Sequence, residues 1–128
     1  MAKILLCDDN KTILTLFERR FQESGHEIVG KARDGDEGIK LYRELKPDLV
    51  LLDITMPNKD GRECLAEILG IDPSARVVML TGLMDEAVKK DCLARGARAF
   101  ISKSKSSASL EDFRANVLSV IDPILKAA

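Results

Sequence analysis

The feature that most constrains the fold of this chain is a repeated pairing of a short apolar run with a stretch of helical periodicity. Five apolar runs recur along the sequence, at Ile4–Cys7, Ile28–Val29, Leu49–Leu52, Val77–Leu80 and Ala99–Ile101. Short, mostly unbroken runs of this kind are typical of strands buried on both faces, as in a parallel sheet covered by helices. The pattern therefore predicts five strands that alternate with helices.

The segments between the runs predict helices, because their apolar residues recur at spacings of three and four. Pro47 and Pro73 predict the ends of the second and third helices, since proline disfavours helical backbone at the residue before it. Gly96 predicts a cap that ends the fourth helix. Pro123 is expected to kink or end the last helix, and the segment Ser102–Ser109 is interpreted as a loop.

This alternation predicts an α/β fold with a doubly wound, five-stranded parallel sheet and helices on both faces. The strand order that fits five strands best is 2-1-3-4-5, the flavodoxin-like order. A chain of 128 residues suits one hydrophobic core, so residues 1–128 are expected to form a single domain.

Composition excludes several kinds of function. The formal net charge is -1 and the basic residues are spread along the chain, which argues against a nucleic-acid interface. No stretch approaches the ~20 apolar residues that a membrane span needs, so no membrane association is expected. The three cysteines show no CxxC spacing, which favours reduced thiols and a cytoplasmic location, with Cys7 and Cys92 as packing residues. His26 precedes the second strand and is expected to be a surface residue without a catalytic role.

Polar residues follow four of the five predicted strands, at the end where parallel α/β sheets bind ligands. Asp8-Asp9 follow the first strand, Asp53 the third, Thr81 the fourth and Lys103 the fifth. Three carboxylates at one edge repel one another and need a cation, and oxygen ligands that leave room for water favour Mg²⁺. Asp53 is the best candidate for a nucleophile that forms an aspartyl-phosphate, because it lies alone at the central strand's end and faces the lysine.

Together these residues resemble the receiver domain of two-component response regulators. The resemblance covers essentially the whole chain and rests on five motifs in order, namely Asp8-Asp9, Asp53-Ile54-Thr55-Met56-Pro57, Gly61, Thr81-Gly82 and Lys103. It implies that Asp53 is the phosphoacceptor and that Asp9 is a direct Mg²⁺ ligand, with Asp8 acting through water. Asp53 and the backbone carbonyl of Thr55 are implied as the other protein ligands.

The resemblance also implies a switch. Lys103 and the Thr81 hydroxyl would each bind a phosphoryl oxygen, and Phe100 matches the position of the family's aromatic switch residue. One departure is Ser104, which stands where the family usually has proline after the lysine, often with a cis peptide bond. A cis bond before a non-proline residue costs about 3 kcal/mol, so we expect either a rearranged loop or a strained bond. Lys105 is the alternative candidate for the role of Lys103.

The implied function is acceptance of a phosphoryl group from a sensor histidine kinase or a histidine phosphotransfer protein. The implied output is regulation of a protein target through the face made by the fourth helix, fifth strand and fifth helix, rather than enzymatic turnover of a separate substrate. The chain is expected to be a stand-alone regulator or a phosphorelay carrier. The N-terminal receiver of a larger regulator, a DNA-binding protein or a chemotaxis methylesterase, stays open.

Two functions of other classes are weighed against this one. A Mg²⁺-dependent phosphatase of the haloacid-dehalogenase kind would need a second aspartate two residues after Asp53, where this chain has Thr55. An FMN carrier on the same fold would need a phosphate-binding loop after the first strand, where this chain has only carboxylates.

Overall fold

Five strands form one parallel sheet in the computed structural model, which describes residues 2–82 and 85–126. The strands are β1 (Lys3–Cys7), β2 (Glu27–Ala32), β3 (Leu49–Asp53), β4 (Val77–Thr81) and β5 (Ala99–Ser102). All four neighbouring pairs are parallel, and the strand order is β2-β1-β3-β4-β5. The predicted fold class and strand order are therefore confirmed, with β3 at the centre of the sheet.

One helix connects each strand to the next, and three further α-helices follow β5. The helices are α1 (Lys11–Glu23), α2 (Gly35–Leu45), α3 (Gly61–Ile71), α4 (Glu86–Arg95), α5 (Lys103–Ser106), α6 (Leu110–Phe113) and α7 (Ser119–Lys126). A π-helical segment, Arg114–Leu118, joins α6 to α7. The three continuous pieces from Leu110 to Lys126 are called here the carboxy-terminal helix.

The predicted helix ends agree with the structure at three points. Lys46 caps α2 in a left-handed conformation with φ 45°, and α3 ends at Ile71, before the Asp72-Pro73 pair. Gly96 caps α4 with φ +115°, a conformation that favours glycine.

Pro123 lies inside α7, so of the two expected outcomes, a kink or an end of the helix, the end does not occur at Pro123. The irregularity lies one turn earlier, where the Ser119 N–H donates to the carbonyl of Arg114, five residues back. Proline lacks the N–H that would bond the carbonyl four residues before it, and the residue at that position is Ser119.

Alternating side chains of each strand divide the core into two layers. Leu5 and Leu52 belong to the layer covered by α2, α3 and α4, whereas Leu6 and Leu51 belong to the layer covered by α1 and the carboxy-terminal helix. In that second layer the fully buried rings of Phe17, Phe21 and Phe113 meet edge to face, with centroids 5.0–6.4 Å apart. Truncating one such ring to alanine typically costs about 3–5 kcal/mol, so these contacts fix the carboxy-terminal helix on the sheet.

His26 is half-buried, whereas the sequence predicted a surface residue. Its side chain is 13% exposed, and Nε2 lies 3.4 Å from Asp122 Oδ1. Nδ1 accepts a hydrogen bond from the Ala2 N–H at 3.2 Å, and the ring meets Phe21 edge to face. It ties the amino-end edge of the sheet to α7, away from the candidate site.

No helix in the described ranges, 2–82 and 85–126, is both long and apolar enough to cross a membrane.

Candidate functional site

Four of the predicted site residues come from neighbouring strand ends at the carboxyl edge of the sheet. Asp53 is the last residue of β3 and Thr81 the last of β4, while Asp8 follows β1 and Lys103 follows β5. Carboxylate oxygens of Asp8, Asp9 and Asp53 all lie within 4.8 Å of one another. The parallel order of β1, β3, β4 and β5 thus brings together residues up to 95 positions apart in the sequence (Asp8 to Lys103).

Lys103 joins this cluster directly. Its ammonium nitrogen lies 2.8 Å from Asp8 Oδ2 and 3.2 Å from Asp53 Oδ2, and its side chain is 17% exposed. Asp8 and Asp53 are buried, whereas Asp9 is exposed. The site is therefore a shielded pair of carboxylates bridged by one ammonium, with a third carboxylate at the solvent side.

Burial and like charge shape the ionisation of Asp53. Burial raises the pKa of Asp53, and the neighbouring Asp8 raises it further, while Lys103 lowers it; the result is about 6. For Lys103, burial lowers the pKa, but the ion pairs with Asp8 and Asp53 outweigh burial and raise it overall. At neutral pH, Asp53 is thus mostly ionised and Lys103 is charged.

The donor set fits a hard divalent cation. Three carboxylates and one ammonium leave two negative charges at the cluster, the charge that one Mg²⁺ would balance. Asp8 Oδ2 is buried, and its partner among the described residues is the Lys103 ammonium, 2.8 Å away. An additional positive charge would stabilise this buried oxygen and would reduce the repulsion among the three carboxylates.

The loop between β3 and α3 is shaped by close backbone contacts. Thr55, whose carbonyl is expected to be a metal ligand, lies in this loop and is exposed. The Gly61 N–H donates to the Ile54 carbonyl at 2.7 Å, and Asp60 caps α3 by accepting from the backbone of Arg62 and Glu63. These bonds hold the loop close to the end of β3.

The backbone after Lys103, where Ser104 replaces the family's usual proline, forms a helical turn. Within residues 2–82 and 85–126 there is no cis peptide bond, so the strained alternative does not occur. Instead Lys103–Ser106 form one helical turn, α5, capped by the Ser102 side chain. The interpretation of Ser102–Ser109 as a loop is thus wrong for its first half.

The two switch candidates lie on adjacent strands. Thr81 is buried and pairs in register with Ser102, while Phe100 pairs with Met79 and is partly buried in the layer covered by α2, α3 and α4. The helix that follows, α4, is capped by the Asp85 side chain. Lys105 is exposed, with no ion pair to the acidic cluster among the described residues.

Sequence reasoning missed three residues that build the turn after Lys103. Ser102 caps α5, Ser106 is buried and donates to the Ser102 carbonyl at 2.6 Å, and Asn116 donates to the Lys105 carbonyl at 2.9 Å. A serine immediately before a possible helix start is a local capping signal that could have revealed the first of these. Asn116 carries no local signal, because its partner lies 11 residues away.

Comparison with known proteins agrees with this fold. A family model for the response regulator receiver domain matches residues 4–113, so the chain belongs to the response regulator receiver family. Domains of this family act in two-component signalling.

Two kinds of protein are similar to this chain in sequence. The chemotaxis protein CheY of Listeria monocytogenes is 42% identical over 103 residues, which cover 80% of this chain and 87% of that protein. The protein-glutamate methylesterase/protein-glutamine glutaminase of Bacillus licheniformis is 34% identical over 131 aligned residues, which cover 99% of this chain and 36% of that protein. The chain is therefore similar both to a short chemotaxis protein and to one part of a longer enzyme.

Solved structures of the same two kinds of protein are similar to this chain in fold. CheY in the CheX-CheY-BeF3-Mg²⁺ complex from Borrelia burgdorferi is similar with a TM-score of 0.84 and 36% identity, covering 93% of this chain and 88% of that one. The response regulator domain of Thermotoga maritima CheB is similar with a TM-score of 0.85 and 31% identity, covering 98% and 97%.

Proposed function

We propose that this receiver domain accepts a phosphoryl group on Asp53 in a Mg²⁺-dependent reaction and signals by a change of conformation. The observation that carries the proposal is the position of the Asp53 carboxylate, 3.2 Å from the Lys103 ammonium and within 4.8 Å of Asp8 and Asp9. The similarity to a CheY seen with BeF3 and Mg²⁺ supports it.

The residues that would hold the metal are Asp8, Asp9, Asp53 and the backbone carbonyl of Thr55. When bound, Mg²⁺ supplies positive charge against the carboxylates and the phosphoryl oxygens. Asp9 is exposed and lacks the lysine ion pair that engages Asp8, which favours Asp9 as the direct ligand and a water-mediated contact for Asp8.

The nucleophile is the ionised Asp53 carboxylate. One of its oxygens forms a bond to phosphorus while the bond between phosphorus and the donor's nitrogen or oxygen breaks, leaving an acyl phosphate on the protein. The pKa of about 6 keeps this carboxylate mostly ionised at neutral pH. The Lys103 ammonium is close enough to donate to a phosphoryl oxygen, and the Thr81 hydroxyl would donate to another.

The proposed phosphodonor is a sensor histidine kinase or a histidine phosphotransfer protein. The proposed output surface is the face made by α4, β5 and the carboxy-terminal helix, which would contact a protein target or an output domain. Matches to a CheY and to a methylesterase support either a stand-alone regulator or a receiver joined to an output domain.

Phosphorylation is tested by intact-mass measurement after incubation with acetyl phosphate and Mg²⁺. The wild-type protein should gain one phosphoryl group, and Asp53→Asn should gain none. Asp122→Asn is a matched control, because Asp122 lies beside His26 at the other edge of the sheet. A phosphoryl adduct on Asp53→Asn would show that the acceptor is another residue.

The metal is tested by calorimetric titration with Mg²⁺ and by labelling in EDTA. Binding is expected to be weak, because few protein ligands are available and several waters are retained. Asp9→Ala should lose most of the affinity and Asp8→Ala less, whereas Glu111→Gln, an exposed acidic residue on α6, should be unchanged. Labelling that proceeds equally well in EDTA would exclude the metal requirement.

A further inference from the structure

The turn that begins with Lys103 is held by serine side chains on both sides. The Ser102 Oγ accepts from the Lys105 N–H at 3.4 Å, and it lies 3.0 Å from the Ser104 Oγ. The Ser106 Oγ donates to the Ser102 carbonyl at 2.6 Å, and Ser106 is 1% exposed. The backbone of Lys103 therefore lies between two residues, Ser102 and Ser106, that are held by these hydrogen bonds.

A third anchor comes from the carboxy-terminal helix. Asn116 Nδ2 donates to the Lys105 carbonyl at 2.9 Å and to the Asp112 carbonyl at 3.0 Å. The Lys103 carbonyl accepts from the Ser107 N–H, but the later Lys105 carbonyl has no partner inside so short a helix, and a helix of four residues is not stable alone. Asn116 thus satisfies a carbonyl of α5 that its own helix cannot satisfy.

The backbone around Asn116 is itself unusual. Asn116 lies in the π-helical segment Arg114–Leu118, and π-helical turns inside α-helices frequently occur at functional sites. The segment also buries Val117 in the core layer that contains Phe113. The amide of Asn116 is therefore presented to α5 from a firmly packed helix.

We propose that Asn116 is a positioning residue for Lys103, which acts by holding α5 through the Lys105 carbonyl. This inference rests on the proposed function, in which the Lys103 ammonium binds a phosphoryl oxygen. Lysine is a flexible side chain, and here its ammonium lies 2.8 Å and 3.2 Å from two different carboxylates. A displacement of about 1 Å at a reacting centre can lower a rate about 100-fold, so the backbone from which Lys103 extends must be fixed.

Asn116→Asp tests the inference with almost no change in shape. The aspartate lacks both donated hydrogens and places carboxylate oxygens against the carbonyls of Lys105 and Asp112, which should displace α5. The matched control is Ser119→Ala, because the Ser119 hydroxyl donates to the carbonyl of Ala115 within the same π-helical segment and has no hydrogen bond to α5. Labelling of Asp53 by acetyl phosphate should slow about 10-fold in Asn116→Asp and stay within about twofold in Ser119→Ala.

A double-mutant cycle with Lys103→Ala separates positioning from mere structural support. If Asn116 acts through Lys103, then Asn116→Asp should slow labelling less than about twofold in the Lys103→Ala background. An undiminished effect of about 10-fold in that background would overturn the inference. Circular dichroism verifies that each variant is folded, and Ser106→Ala, which releases α5 from the other side, serves as the second variant with the same expected pattern.

A readout without phosphoryl transfer keeps this inference distinct from the proposed function. In the metal-free protein, the NMR order parameter of the Lys103 Cε methylene should fall in Asn116→Asp and be unchanged in Ser119→Ala. If wild-type protein takes no phosphoryl group on Asp53, the proposed function fails, and the order parameters still decide whether Asn116 fixes Lys103. If wild-type protein is labelled but Asn116→Asp matches it in rate and order parameter, only the positioning role fails.

Discussion

A Cβ atom placed on Gly61 would lie 2.2 Å from the carbonyl oxygen of Asp53 and 2.7 Å from the Cα of Ile54. Real Cβ atoms essentially never approach other heavy atoms within 3.0 Å, and both contacts are to backbone. The start of α3 therefore packs directly on the backbone of the candidate phosphoacceptor, and glycine is required at this position because of close approach rather than an unusual φ.

Gly61→Ala is expected to lower the free energy of unfolding by about 1–3 kcal/mol, since the inserted methyl group must displace the end of β3 or the start of α3. Urea unfolding followed by circular dichroism measures the change. Gly70→Ala is the matched control in the same helix, because a Cβ at Gly70 meets no atom within 4 Å. That control should be neutral or stabilise the protein by up to ~1 kcal/mol. Equal behaviour of the two variants would show that α3 can move away from β3 at little cost.

Asp53→Asn is expected to stabilise the metal-free protein at neutral pH. The folded-state pKa of Asp53 is raised to about 6 by burial and by Asp8, above its ordinary value of 3.8. Between these values the folded state binds more protons than the unfolded state, so the wild-type protein loses stability as the pH rises from about 4 to above 6. The asparagine variant lacks this titration. Its free energy of unfolding should therefore exceed that of the wild-type protein by an amount that grows over the same pH interval.

The stability difference between Asp53→Asn and the wild-type protein is measured by thermal unfolding of each protein in EDTA at pH 4.5 and at pH 7.5. Saturating Mg²⁺ at pH 7.5 should reduce this stability difference, because the metal stabilises the ionised carboxylate of the wild-type protein. A Glu111→Gln control, at an exposed acidic residue on α6, corrects for the loss of one negative charge. If Asp53→Asn is the less stable protein at pH 7.5 in EDTA, the Lys103 ion pair outweighs burial and repulsion at this site.

Lys103→Ala is expected to impair signalling by the phosphorylated protein, and Lys105→Ala to be nearly neutral. Lys103 Nζ contacts Asp8 and Asp53, whereas Lys105 is exposed on the outer side of α5. The measurement is the change in the NMR spectrum of each variant when beryllofluoride is added. Beryllofluoride stands in for the phosphoryl group on Asp53. Changes lost in Lys105→Ala but retained in Lys103→Ala would mean that the two lysines exchange places when the site is occupied.

The sequence predicted the fold because the strands appear as apolar runs. These runs are long where both faces are buried, as in β1, β3 and β4, and shorter where the strand is partly exposed, as in β2 and β5. The same runs place Asp8, Asp53 and Lys103 at strand ends, so their convergence could be predicted from parallel pairing alone. What could not be predicted depends on contacts between distant segments. The burial of His26 requires Ala2 and Asp122, respectively 24 and 96 positions away, and the α5 turn requires Asn116.

Thr81 and Phe100 are expected to couple the phosphoryl group to the α4 surface. In the parallel register Thr81 pairs with Ser102 and Met79 with Phe100, so Thr81 and Phe100 lie on the same face of the sheet. That face is the one covered by α4, whose Val88 packs against the same core layer as Phe100. A movement of Thr81 toward Asp53 would thus open space beside Phe100, beneath α4.

The size of this coupling limits how complete the switch can be. The phosphoryl group favours the inward state of Phe100 only by what it gains there, about one charge-assisted hydrogen bond from Thr81, worth roughly 1.5–3 kcal/mol. Complete reversal of the equilibrium would need about 5.5 kcal/mol, so some active-like population should exist without phosphate. NMR spectra with beryllofluoride should show shifts that extend from Asp53 through Thr81 and Phe100 to α4, and in Thr81→Ala these should stay near Asp53. Wild-type shifts that end at the metal site would identify the chain as a phosphoryl carrier or sink rather than a switch.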